Sequence, residues 1–162
     1  MGRMVLGLVV IAAAACGQAR PISEADKAAI RAASDSFGVL ARDQRDSAIA
    51  LLYTENAVLM APNLGVVEGR AAIRAFFGML PAMSLFRLTP VDIDGRGDLA
   101  YVRGTYTLTM SGPGGEPLVD RGKYVEIRRR AGGREWPIAI DIFNSDLPGG
   151  AIPTPPTPGR RQ

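Results

Sequence analysis

In the first half of the chain apolar residues recur three and four apart, and in the second half they alternate with polar ones. Ser23 with Asp26 three residues on approximates a capping box, and Ile30, Ala33, Phe37, Leu40 and Ala41 then follow one helical face. This spacing predicts a long amphipathic first helix. A polar break at residues 42–47 separates it from Ile49, Leu52 and Tyr53, which predict a short second helix. Residues 57–61 read as a strand ending at Pro62 and Asn63, with residues 65–68 as its hairpin partner. Gly69 opens a third helix carrying Ile73, Phe76, Phe77 and Leu80 on one face, and Pro81 ends it.

Beyond Pro81 the alternating pattern predicts strands over 85–93, 99–110, 119–129 and 135–143. The Gly-rich breaks around Gly95 and Gly97, around Gly112 to Gly115, and at Gly132 and Gly133 separate them. Helices first and a long meander afterwards make an α+β order. The folded domain is expected over 23–148, and the proline-rich tail over 149–162, almost without apolar periodicity, is expected to be disordered.

A length of 162 residues suits one domain. The formal net charge is only +3, with acidic and basic residues interspersed, and the run Arg128, Arg129, Arg130 precedes a hairpin where its side chains alternate across the strand. No nucleic-acid partner is expected. The chain has no histidine and one cysteine, Cys16, which removes His-dependent triads, Cys-His pairs, zinc sites and disulfides. Any catalysis then falls to carboxylates, Tyr, Lys or Arg. No cofactor or metal is expected: no phosphate-cradling glycine loop follows a strand, and the stretch from Asp92 to Gly95 is not a full calcium loop.

Arg3 precedes an apolar run over residues 4–12, broken only by Gly7, and Ala13, Ala14, Ala15 and Cys16 follow. These are the three parts of a secretory signal. The run is shorter than the roughly 20 apolar residues of a spanning helix. Ala-Ala-Ala-Cys resembles a bacterial lipobox, although Ala13 stands where that motif favours Leu. The expectation is a signal peptide over 1–15, lipidation of Cys16, a tether over 16–22, and a periplasmic protein held to the outer membrane by that lipid. A signal peptide cut after an alanine, leaving an incidental thiol, is the alternative.

Two segments carry a family resemblance: L-Y-T-E-N-A-V-L-M-A-P-N-x-G-V-V-E-G-R-A-A-I-R-A-F-F from Leu52, and G-K-Y-V-E-I-R-R-R-A-G-G-R-E-W-P-I-A-I-D-I-F-N-S-D from Gly122. Together they resemble the SnoaL-like family of the nuclear transport factor 2-like superfamily, in its branch of domains of unknown function. The resemblance implies a cone-shaped barrel, a curved antiparallel sheet wrapped around about three helices, with an apolar cavity and a homodimer through the outer sheet face. The more distant likeness to ketosteroid isomerase fails residue by residue. Its base falls at Ala61, its first-helix Tyr near Phe37, and its second oxyanion donor near Lys123.

What the resemblance leaves is a different polar set. Strand alternation groups Lys123 with Val125 and Ile127, and Asp141 with Ala139 and Phe143. If both groups face the cavity, Lys123 and Asp141 approach across neighbouring strands, and Asp141 is a candidate general base. The more apolar set of Trp136, Ile138, Ile140 and Ile142 argues instead for Asp141 pointing outward. Tyr53 and Tyr106 are candidate cavity hydroxyls; Phe37, Met60 and Phe76 are candidate lining residues. The expected task is binding a small apolar or amphipathic molecule. The alternatives are an isomerase, cyclase or dehydratase using Asp141 with Tyr106 or Lys123, and a homo-oligomeric assembly module with a filled interior.

Overall fold

The computed structural model describes residues 19–112 and 114–147. The expected signal peptide, Cys16 and the whole of the proline-rich tail lie outside the described residues. Three helices come first: α1 (Glu24–Arg42), α2 (Asp46–Leu51) and, after strands β1 (Tyr53–Met60) and β2 (Val67–Glu68), α3 (Arg70–Gly78). Four strands follow: β3 (Met83–Arg96), β4 (Leu99–Ser111), β5 (Pro117–Arg129) and β6 (Ile138–Ser145). They form one six-stranded sheet in the order β2-β1-β6-β5-β4-β3.

The capping box forms as expected. Ser23 N donates to Asp26 Oδ2 at 3.0 Å and Asp26 N donates to Ser23 Oγ at 3.2 Å. Asp26 has a second role, because its other oxygen accepts from Arg130 Nη1 at 2.8 Å and Trp136 Nε1 at 3.1 Å, tying the start of α1 to the β5–β6 hairpin. These donors, Arg130 foremost, hold the Asp26 carboxyl below its usual range.

Two expectations need correction. The second helix stops at Leu51, and Tyr53 opens β1 instead of closing α2. The Arg70 guanidinium holds this junction, Nε and Nη2 both donating to the Tyr53 carbonyl (3.1 and 2.8 Å). The sheet is also mixed: β1 runs parallel to β6, with Leu59 opposite Asp141 and Met60 opposite Ile142, while the other pairs are antiparallel. The chain reaches this arrangement by the long path through β3, β4 and β5, which places its first strand beside its last.

The helices cover the inner face of the curved sheet, α1 lying along β3. The core between them contains Phe37, Ile49, Tyr53, Leu59, Ile73 and Phe76. Both sheet edges are short or broken. At one end β2 has two residues, and at the other β3 carries Pro90, where the register with β4 shifts.

Candidate functional site

Inside the cone, the register of β4 and β5 sets two tyrosines over two glycines. Tyr106 lies opposite Gly122 and Tyr124 opposite Gly104. A Cβ added at either glycine would come within 2.6 Å of the facing ring, so each ring occupies the space a side chain would take. Gly104→Ala should therefore crowd both the Tyr124 ring and the Thr89 carbonyl, which an added Cβ would also meet at 2.6 Å, and cost about 1–3 kcal/mol, as overpacking does; urea unfolding measures it, and unchanged stability would refute this close packing at Gly104.

These rings help to line an apolar hollow whose wall includes Phe37, Phe76, Phe77, Phe86 and Phe143. Its volume is about 40 Å³. That is space for a few waters, well below the roughly 300 Å³ of a drug-sized site. The aromatic rings fill it: Phe37 packs against Phe77 and Phe86 with centroids 5.5 Å apart in each case, and Phe76 against Phe77 at 5.2 Å.

Four polar side chains reach this hollow: Tyr106, Tyr124, Glu126 and Asp141. Asp141 and Glu126 stand opposite each other on β6 and β5, both buried. Tyr53 Oη donates to Asp141 Oδ2 at 2.7 Å from behind the lining. Glu126 is answered by Arg128, two residues on and therefore on the same face, whose Nε donates to Oε2 at 2.7 Å while Nη2 lies 2.6 Å from the same oxygen. Arg128 Nη1 donates to the Trp136 carbonyl at 2.9 Å. Both members of this ion pair are about 1% exposed.

Burial, and next the Glu126 charge, push the Asp141 carboxyl up to about 7; the Tyr53 hydrogen bond and the Arg128 charge pull the other way. Burial and the Asp141 charge raise Tyr53, so its phenol remains a donor. Burial likewise raises Tyr124, with the Glu126 charge second. Its hydroxyl is buried without a hydrogen-bond partner among the described residues. The Ser34 side chain, whose hydroxyl donates to the Ile30 carbonyl at 3.2 Å, is close enough to lower the Tyr124 pKa. Tyr106 is different: its hydroxyl donates to Asp120 at 2.9 Å, and Asp120 also accepts from Ser145 at 2.6 Å, which closes that group on itself.

Of the residues singled out in the sequence, Phe37, Phe76, Tyr106 and Asp141 line the hollow and Tyr53 stands behind Asp141. Met60 and Lys123 do not. Met60 lies opposite the exposed Ile142, on the other sheet face from the buried Leu59. Lys123 is exposed and pairs with Asp146. Asp141 is thus partnered by Tyr53 and Glu126, and neither Lys123 nor Tyr106 bonds to it.

Sequence reasoning missed Tyr124, Glu126 and Arg128, because the outward face of β5 holds Val119, Val125 and Ile127 and reads as the buried one. The available signal was the complementary pair Glu126 and Arg128 at strand spacing. The pairing of β6 slips where Ile140 faces Ile127 and Ile138 faces Arg128 of β5, and the extra residue, Ala139, lets Ile138 and Asp141 both point inward despite their odd spacing.

Among the described residues no group of three or more His, Cys, Asp or Glu is placed to hold a metal. Among them, too, no helix is long and apolar enough to cross a membrane.

Residues 26–139 match the model of the family described as SnoaL-like domain. Among curated proteins none matches the chain. Solved structures do. An NTF2-like protein with a cystatin-like fold from Novosphingobium aromaticivorans is 21% identical, with 78% of this chain and 84% of that one covered and a TM-score of 0.66. A ketosteroid isomerase-like protein from Erwinia carotovora atroseptica is 17% identical over 78% of this chain and 100% of that one, with a TM-score of 0.66. A nuclear transport factor 2-like superfamily protein from Salmonella enterica serovar Typhimurium is 14% identical over 78% and 94%, with a TM-score of 0.64. At these identities the likeness is one of fold.

Proposed function

The chain belongs to the SnoaL-like domain family, and on that footing we propose that it binds a small, mostly apolar molecule bearing one carbonyl or hydroxyl group, held in the hollow against Asp141. One observation carries this reading: an apolar hollow contains a carboxyl poised near neutrality and a buried phenol without a partner. A buried unsatisfied hydroxyl costs about 1–3 kcal/mol, and a guest supplying the missing acceptor recovers it. The guest is small, or the Phe and Met side chains of the wall swing aside to admit it.

The same carboxyl suits proton transfer. An acid that is half ionised near pH 7 gives and takes protons about equally well, which isomerase-, cyclase- or dehydratase-type turnover of a bound carbonyl compound requires. Native mass spectrometry of the purified domain should show a retained small molecule that Tyr124→Phe and Asp141→Asn each deplete about tenfold, the effect of losing roughly 1.4 kcal/mol. An empty protein whose melting temperature no small ketone or alcohol raises would end the binding reading. Turnover that disappears in Asp141→Asn with the fold intact would promote it to catalysis.

A second reading, homo-oligomeric assembly, is favoured by the narrowness of the hollow and by Val125, Ile140 and Ile142 exposed together on the outer sheet face. The same mass spectrum reports it as a dimer that Ile142→Asp dissociates. Export with lipid attachment at Cys16 rests on the sequence; Cys16→Ser should then release the protein from membranes.

A further inference from the structure

Outside the hollow, the helical side carries a groove of about 440 Å³ bounded by α1, the end of α2, the start of α3 and the β5–β6 connection. Unlike the hollow, it has the volume of an ordinary small-molecule site, which starts at roughly 300 Å³. One wall is apolar: Ala29 and Ala33 from α1, then Leu51, Leu52 and Trp136. The small α1 side chains open the groove, and Leu51 is left 69% exposed at its edge. The other lining is cationic, with Arg70, Arg128 and Arg134 set against Glu135 alone.

The three guanidinium groups are not equally satisfied. Arg70 meets the Tyr53 carbonyl and Glu55, whose side chain is 88% exposed, so its charge is balanced only at the solvent edge. Arg128 uses three donor nitrogens on Glu126 and the Trp136 carbonyl and is about 1% exposed, so it braces the floor of the groove and offers no free donor to it. Arg134 has no partner among the described residues. A groove that sets the free Arg134 guanidinium and the solvent-edge charge of Arg70 beside the exposed Leu51 and the half-buried Ala33 is complementary to an anion with a short apolar body.

We infer that this groove binds a small carboxylate-bearing amphiphile, its carboxylate toward Arg134 and Arg70 and its alkyl or aryl part on Ala33, Leu51 and Leu52. The site is separate from the hollow, and the inference does not depend on what the hollow does.

Trp136 is the chain's single tryptophan and lines the groove but not the hollow, so intrinsic fluorescence follows changes at this site. Titrating the full chain with sodium octanoate should give a saturable change, at least tenfold weaker with sodium acetate and absent with 1-octanol at matched concentration. Arg134→Glu and, separately, Leu51→Glu should each weaken octanoate binding about tenfold, both being exposed positions whose substitution leaves the thermal melt in place. Asp141→Asn should leave the titration unchanged. The inference fails if octanoate gives no saturable change, if 1-octanol matches it, if Arg134→Glu binds as the unmodified chain does, or if Asp141→Asn abolishes the response.

Discussion

Asp141→Asn should make the protein more stable at pH 8 while changing little at pH 4. In the folded chain this carboxyl is pushed up to about 7, against roughly 3.9 for an unfolded Asp. Between these values the unfolded state sheds a proton that the folded state keeps. Stability of the unmodified protein therefore declines as pH rises, by up to about 1.4 kcal/mol per pH unit, and levels off above the folded pKa. The contribution is present in full below pH 4 and gone by pH 8, a loss of about 3–4 kcal/mol that the Asn variant does not suffer. The amide oxygen still accepts from Tyr53, so the variant keeps that hydrogen bond. Urea unfolding at pH 4, 6 and 8 measures the difference, and parallel curves for the two proteins would show that Asp141 ionises freely in the fold. A gain in stability joined to a loss of ligand is the pattern expected of a group retained for function.

Arg128→Met should destabilise the fold by about 3–5 kcal/mol, the cost of leaving a partner charge buried alone. Glu126 is about 1% exposed, and its ion-pair partner is Arg128. The Trp136 carbonyl loses its donor in the same step. Combining Arg128→Met with Glu126→Gln should restore more than half of the loss, because the penalty belongs to the orphaned carboxylate more than to the missing attraction. The double-mutant cycle is read by urea unfolding at pH 7. A single-variant cost below about 1 kcal/mol would mean that water reaches Glu126 and that the pair is not buried in energetic terms.

The helical half of the fold was legible because local rules govern it. Ser23 and Asp26 cap α1 as their spacing requires, and Ile30 and Phe37 face the core. In the sheet half, the strands could be read but not the faces or the neighbours. Nothing local in Tyr53 to Met60 says that this strand will lie parallel to β6, because that pairing is set by the path of the intervening chain. The face of β5 was misread for a physical reason. Apolar patterning assumes that charges stay in water, and here a Glu and an Arg two residues apart go inside together while Val125 stays out. For β6 the alternating isoleucines argued the other way, and the slipped pairing decided the matter for Asp141. The candidate site was thus half visible: its carboxyl and aromatic wall were found, and the charges that tune the carboxyl were not.

The margins of the sheet constrain how copies of this protein meet. An unpaired strand margin templates further strands unless something interrupts it. At one margin the outermost strand is only two residues long, and at the other Pro90 removes a donor where the ladder already slips. Among the described residues neither margin offers a long uninterrupted row of free amides, which works against fibre-like accretion from strand to strand and leaves the broad faces as the better ground for contact.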